Sequence, residues 1–282
     1  MTKIVVFAGK KQAGKNTAGN FLFGLEMWSV LDENGLPLIS QFRIDEQGRL
    51  IIPVDFGPER GGVQDGIFNP TSREPAVQMF LAEKVWPRVK MYSFADALKE
   101  LCVNVLGLTD EQVYGNNEQK NTPTRIIWKN VPGFPKTKSL DTLKKWGFVL
   151  EEGWTPDSLM TARHVMQYVG TDIFRKMFED VWVEATLRKI ANEAPEVAII
   201  TDCRFPNEVM GTISVGGVVI YLTRAPFKGQ DEHSSETALD PGNFDHALFS
   251  AKLNNDEMNI DEQNAALFQI LTDLDILHPE LI

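Results

Sequence analysis

The sequence predicts an α/β fold in three layers, with a mostly parallel sheet between helices. Three observations lead there. Short apolar runs rich in β-branched residues recur at 3–8, 89–95, 197–201 and 217–224. Such continuous runs mark strands buried on both faces, as parallel sheets require. Stretches with apolar residues at helical spacing alternate with them, which places helices on both sides of the sheet. The chain has 282 residues, 43% of them hydrophobic, which suits one such domain enlarged by insertions.

Each element follows from local signals. Residues 3–8 form the first strand and the loop Gly9–Gly14 follows it. Lys15 to Met27 reads as a helix, because Phe21, Leu22 and Leu25 recur at helical spacing. From 29 to 88 Pro and Gly become frequent, and "FRIDEQGRLIIPV" predicts a hairpin turning near Glu46-Gln47-Gly48. "GPERGGVQDGIFNPTSREP" has little periodicity and reads as loop, so 29–88 reads as an insertion. "VKMYSFA" (89–95) is a strand, followed by a helix from Asp96 to Leu106 that Gly107 stops. Residues 108–157 are polar and turn-rich, and read as a variable segment, either a mobile lid or a solvated loop. Ser158 can cap a helix over 159–169, Gly170 ends it, and Thr171 starts another. "VAIIT" (197–201) ends at Asp202, "GVVIYLTR" (217–224) is the next strand, and "NIDEQNAALFQILTDL" is a final amphipathic helix. The whole of 1–282 is expected to be a single domain.

Composition excludes several classes. A net charge of −11 argues against a general nucleic-acid binder, which needs a broad basic face. It leaves room for an anionic small molecule held by a few Lys and Arg. The two cysteines, Cys102 and Cys203, lie far apart and the four histidines lack zinc spacing, so two reduced thiols are expected. The apolar run between Lys3 and Lys10 is too short for a signal peptide, and no stretch is long enough to span a bilayer. A soluble cytoplasmic protein is the expectation.

Four stretches carry chemistry. In "GKKQAGKNT", Gly9 and Gly14 let the backbone bend so that successive N–H groups point at a phosphate. The following helix adds its positive N-terminal end, and Lys15 can reach the β- and γ-phosphates. The spacing G-x-x-x-x-G-K between strand and helix is that of a P-loop. Asn16 stands where a hydroxyl that coordinates Mg²⁺ is usual, so direct metal ligation at that position is in question. In "VAIITDCRFPNEV", Asp202 ends a strand, where α/β sheets bind ligands, and can organise Mg²⁺ or its waters. Arg204 can contact phosphate; the alternative is that Asp202 caps the next helix and Arg204 pairs with Glu208. In "TARHVMQYVGTD", Arg163 and Gln167 share a helix face, and Gly170 and Thr171 offer a hydroxyl and backbone N–H groups. A surface helix without ligand is the alternative. In "SFADALKE", Lys99 sits in the first turn of a helix, against the dipole, which an anionic ligand or mere solvation explains. His233, Ser235 and Glu236 can approach a nucleotide or cap a helix.

Together these stretches resemble the deoxynucleoside monophosphate kinases of tailed bacteriophages. The matching pieces are "GKKQAGKNT", "SFADALKE", "TARHVMQYVGTDIFRK" leading to Trp182, "TDCRFPNEV", "DEHSSETALD" and "KLNND". The resemblance covers 1–27, 89–107 and 158–282. It implies a P-loop nucleoside monophosphate kinase-like fold, ATP with Mg²⁺ as donor and metal, and a deoxynucleoside 5′-monophosphate as acceptor. It puts Lys11, Gly14, Lys15, Asn16 and Thr17 on the phosphate loop. It puts Lys99, Arg163, Gly170, Thr171 and Trp182 on the acceptor side, and Asp202, Arg204 and Glu208 at the strand-end site. It suits a homodimer acting on small nucleotides, without nucleic acid or membrane, in a host cytoplasm if phage-encoded. Two departures are Asn16, where the family often has Asp, and Gln12, near which an Arg is expected.

The nucleophile would be an acceptor phosphate oxygen, already ionised at neutral pH, so no general base is required. Catalysis would then be positioning and charge neutralisation by Lys15, Mg²⁺, Arg163 and Arg204, aided by a closure that excludes water. Two other readings stay open: a P-loop kinase of another small acceptor, such as dephospho-coenzyme A, and a nucleotide-dependent switch without acceptor. No NKxD-like guanine motif is present, which disfavours a GTPase switch.

Overall fold

The computed structural model describes residues 2–55, 57–132, 154–224, 237–278 and 281. Its strands are β1 (Lys3–Ala8), β2 (Arg43–Ile44), β3 (Leu50–Asp55), β4 (Val63–Phe68), β5 (Val89–Tyr92), β6 (Pro123–Ile127), β7 (Leu159–Thr161), β8 (Val197–Cys203), β9 (Val218–Leu222) and β10 (Ala251–Leu253). Its α-helices are α1 (Lys15–Trp28), α2 (Pro75–Phe80), α3 (Asp96–Asn104), α4 (Asp110–Tyr114), α5 (Asn117–Lys120), α6 (Ala162–Gln167), α7 (Val181–Glu193), α8 (Pro206–Ser214) and α9 (Ile260–Asp273). They form two compact units, residues 1–94 with 183–282, and residues 95–182.

In the first unit a five-stranded sheet runs in the order β10-β9-β1-β8-β5, with every pairing parallel. The alternation of side chains along each strand divides the core in two. Val5, Phe7, Val197, Ile199, Ile220 and Leu222 pack on one face with α1 and α9. Val6, Ala8, Ala198, Ile200, Val219 and Tyr221 pack on the other with Val183 and Ile190 of α7 and Val209 of α8. Both faces are therefore covered, as the apolar runs predict, and each fully buried Phe or Leu contributes about 1.5–3 kcal/mol. After β8 the chain crosses β1 to form β9. The strand order thus reverses beside β1, the position at which open α/β sheets bind ligands beyond the strands' carboxyl ends.

The expected hairpin is present: β2 and β3 pair antiparallel around a turn in which the Asp45 N–H donates to the Arg49 carbonyl at 3.0 Å. The stretch read as loop contains β4, which pairs with β3 from Leu50↔Phe68 to Asp55↔Val63. Gln64, Asp65 and Gly66 break the apolar alternation of β4, so only its partner reveals it as a strand. Ile44, Leu50 and Ile52 join the core beside α1, and Asn20 Nδ2 donates to the Gly48 carbonyl at 2.8 Å. The inserted sheet is part of the first unit's core.

The second unit packs α3, α4, α6 and the β6–β7 pair around Cys102, Val113, Trp128, Met160, Val165 and Tyr168. Two boundaries differ from the sequence reading. Residues 159–161 are strand β7, and the cap of α6 is Thr161, whose hydroxyl accepts the His164 N–H at 3.2 Å. Ser158 instead accepts the Thr155 N–H at 2.9 Å. Gly170 does not end the helix, because the chain passes through it in a π-helical stretch, Tyr168–Arg175. Its lack of a side chain serves packing: a Cβ there would lie 2.7 Å from Leu98 Cδ2. Much of the segment read as lid or loop (133–153), and His233, Ser235 and Glu236, lie outside the described residues.

Candidate active site

The loop between β1 and α1 has the shape of a phosphate cradle. Gly14 is the N-cap of α1 at φ +94°, with no side-chain cap, so the first helical amides stay available to an anion. Gly9 has φ +142°, and a Cβ there would lie 2.6 Å from the Leu222 carbonyl at the end of β9. Only glycine permits that approach. Gln12 is held at φ +60°, a left-handed conformation costing a non-glycine residue about 1 kcal/mol, as strained functional loops often show. Lys15 is 6% exposed and donates to the carbonyls of Gly9 and Lys10 at 2.6 and 2.7 Å. Its ammonium is thereby seated within the curve of the loop. Lys11 and Asn16 are exposed and Thr17 is half-buried.

Two contacts that sequence reasoning missed hold this loop. Asn255, 1% exposed, donates from Nδ2 to the Ala13 carbonyl and to Gln263 Oε1, both at 2.8 Å, and accepts the Arg224 N–H at 3.0 Å. Lys10 pairs with Asp240 at 2.8 Å. Both partners fall in stretches quoted for the family resemblance, "KLNND" and "DEHSSETALD", but their spacing from the loop gives no sign of contact.

At the neighbouring strand ends, Asp202 accepts from Ser93 Oγ at 2.6 Å and from the Phe94 N–H at 2.9 Å. The carboxylate thus ties the end of β8 to the end of β5. Glu208 is buried, and its Oε2 accepts the N–H groups of Arg204 and Phe205 at 2.7 and 3.0 Å, capping the start of α8. Cys203 is fully buried. Desolvation, with Glu208 and Asp202 nearby, drives its thiol well above the ordinary range despite Lys15. It is an inert core thiol.

The second unit gathers the other candidates. Arg163 donates from Nε to Asn121 Oδ1 and from Nη2 to Asn117 Oδ1, both at 2.9 Å. Lys99 lies 3.6 Å from Asp96 and 5.5 Å from the Tyr114 ring centroid. Lys120 was not singled out by sequence. Burial, then the charges of Lys99 and Arg163, lower its pKa from the ordinary 10.5. Trp182 is 5% exposed, packs at a tilt against the Phe174 ring and donates to the Gly170 carbonyl at 3.1 Å. π-helical geometry disturbs the usual i→i−4 ladder, and the indole satisfies that carbonyl. Thr171 is exposed.

The profile of the family described as "Deoxynucleotide monophosphate kinase" matches residues 117–260, just over half the chain. The chain belongs to this family. A protein of Acanthamoeba polyphaga mimivirus, provisionally named a deoxynucleotide monophosphate kinase, is 30% identical over 159 residues, 52% of this chain and 67% of its own. The deoxynucleoside-5′-monophosphate kinase of Escherichia phage T5 is 28% identical over 191 residues, 56% of this chain and 75% of its own. The family match includes Lys120, Arg163, Asp202 and Asn255 but not the loop between β1 and α1. Among the described residues no helix is long and apolar enough to cross a membrane. Nor, among them, do three or more His, Cys, Asp or Glu side chains group so as to hold a metal.

Proposed function

We propose that this deoxynucleotide monophosphate kinase family member transfers the γ-phosphoryl group of ATP to the 5′-phosphate of a deoxynucleoside monophosphate, giving ADP and the diphosphate. Such a reaction supplies nucleotides for DNA synthesis. The observation that carries the reading is the Gly9–Gly14 loop at the end of the central strand, with Lys15 seated inside it, in a member of this family.

Lys11, Gly14, Lys15, Asn16 and Thr17 would hold the donor's phosphates. The uncapped amides of α1 suit the phosphate tail of ATP. Mg²⁺, when bound, would neutralise charge on the β- and γ-phosphates. Asp202 is the carboxylate at the strand ends, and both its oxygens already accept hydrogen bonds, which fits contact through metal-bound water. Arg204, on the loop that Glu208 fixes, would take phosphate charge. Lys99, Arg163, Gly170, Thr171 and Trp182 would serve the acceptor. The buried indole of Trp182 suits a positioning role, holding the chain at Gly170. Arg163, braced by two amides, would present a guanidinium to the acceptor phosphate. No general base is needed, because the attacking oxygen is ionised at neutral pH. The protein contributes orientation and preorganised positive charge. The chain is best read as a single kinase domain extended by the 29–88 and 108–157 segments.

A coupled ADP-release assay with dGMP, dTMP, dCMP, dAMP and their ribose counterparts tests this. Turnover with at least one dNMP is expected, with little ATP hydrolysis in its absence. Inactivity on every dNMP with activity on dephospho-coenzyme A would replace the acceptor. Slow hydrolysis indifferent to dNMPs would make the protein a nucleotide switch.

A further inference from the structure

Lys99, Lys120 and Arg163 of the second unit lie close enough for the charges of Lys99 and Arg163 to oppose that of Lys120. α5 is only four residues long, and a helix that short has no stability of its own. It is fixed by a reciprocal cap: Asn116 Oδ1 accepts the Gln119 N–H and Gln119 Oε1 accepts the Asn116 N–H, each at 2.9 Å. The Thr122 hydroxyl donates to the Gln119 carbonyl at 2.7 Å. Lys120 therefore sits on a rigid turn. Asn117 and Asn121, three before it and one after, grip the Arg163 guanidinium. Their amides orient that group but leave its charge intact. Lys99 completes the cluster, with Asp96 at 3.6 Å its carboxylate partner.

The position of Lys120 is physically unfavourable without a ligand. It is half-buried, and among the described residues its ammonium makes no hydrogen bond or ion pair. Its charge is opposed by Lys99 and Arg163, and the partners of Arg163 are neutral. A partly desolvated ammonium next to two like charges is normally relieved by a carboxylate. An anion with several acceptor oxygens would relieve all three cations together. A phosphate monoester fits, because the fork of Arg163 can take two oxygens and a lysine a third.

We propose that Lys120 binds the acceptor's 5′-phosphate, with Lys99 and Arg163, as the third cation of an anion site lying wholly within residues 95–182. The proposal rests on the kinase reading above for the identity of the anion. It assigns Lys120 to phosphate recognition rather than to base or sugar, and leaves ATP binding to the other unit.

The test compares wild type with Lys120→Met and Lys120→Arg. Because Lys120 is repelled by its neighbours, Lys120→Met should melt no lower than wild type. With the accepted dNMP, Lys120→Met should raise KM about 10- to 100-fold, the span of a lost charged hydrogen bond, with KM for ATP within about twofold. Calorimetry should show the same loss for the dNMP and none for the matching deoxynucleoside, which lacks the phosphate. Lys120→Arg should recover most of the loss. An unchanged KM for the dNMP in Lys120→Met overturns the proposal, as does an equal loss toward the deoxynucleoside or ATP. Titration with inorganic phosphate separates this from the kinase reading. If wild type phosphorylates no dNMP, the kinase reading fails, and phosphate binding that Lys120→Met abolishes still supports the anion site. Phosphate binding equal in both proteins overturns it.

Discussion

Asn255→Ala should loosen the phosphate loop without touching any residue that faces the donor. The wild-type amide makes three contacts in a site that is 1% exposed: Ala13 carbonyl and Gln263 Oε1 at 2.8 Å, and Arg224 N–H at 3.0 Å. Truncation leaves all three groups without that partner in a dry place. At about 1 kcal/mol for each hydrogen bond lost, and more for buried orphans, the cost is roughly 2–4 kcal/mol. A fall in melting temperature of roughly 4–16 °C follows at about 2–4 °C per kcal/mol. If about 1.4 kcal/mol of the loss falls on loop geometry, kcat/KM for ATP drops about tenfold. Asn255→Asp should be worse for ATP, because a carboxylate cannot donate to either carbonyl and adds negative charge beside the phosphate loop. Differential scanning calorimetry and ATP-dependent initial rates read both effects. Wild-type melting together with wild-type kcat/KM for ATP in Asn255→Ala would refute the claim that this amide shapes the loop.

Other expectations are more local. Lys15→Ala should lose at least about 100-fold in kcat while keeping its far-UV circular dichroism, since its ammonium is held by the loop carbonyls of Gly9 and Lys10 and is proposed to meet the donor phosphates; near-normal turnover would remove Lys15 from the mechanism. Gly9→Ala should abolish ATP binding or soluble expression, because its Cβ meets the Leu222 backbone carbonyl at 2.6 Å, whereas Gly242→Ala, with nothing within 4 Å, should behave as wild type in the same assay. Glu26 is fully buried against Arg88, and burial, outweighing that arginine, raises its carboxyl pKa above the ordinary 4.5. The folded state then binds more protons than the unfolded state between 4.5 and that raised value, so stability falls as pH rises through this window. Melting curves should therefore show wild type gaining on Glu26→Gln as pH is lowered toward 4.5, and a constant gap between them would refute this.

The sheet and phosphate loop were legible because their signals are local. Each of the four apolar runs, and the glycine spacing with its lysine, is confined to a few consecutive residues, and the structure places them as strands buried on both faces and a curved loop. The hairpin turn near Gly48 was legible for the same reason. β4 was not, because its residues alternate poorly and only pairing with β3 makes them a strand. The start of α6 and the continuity through Gly170 were misread because both depend on contacts from elsewhere, β6 beside residues 159–161 and Leu98 beside Gly170.

The sequence by itself determined the fold class and the glycine loop that ends at Lys15, and it offered Arg163 and Lys99 as candidates for an anion. Those follow from periodicity, glycine spacing and charge on the chain. Tertiary structure decided which neutral groups hold these parts in place. Asn255 meets Ala13 across 242 positions, Asn117 meets Arg163 across 46, and Ser93 meets Asp202 across 109. Hydrogen bonds between uncharged or lone polar side chains leave no period and no pattern in sequence. They exist only once folding has removed the water that would otherwise satisfy each group. The same desolvation makes Lys120, an ordinary lysine in the sequence, a half-buried charge in the folded protein.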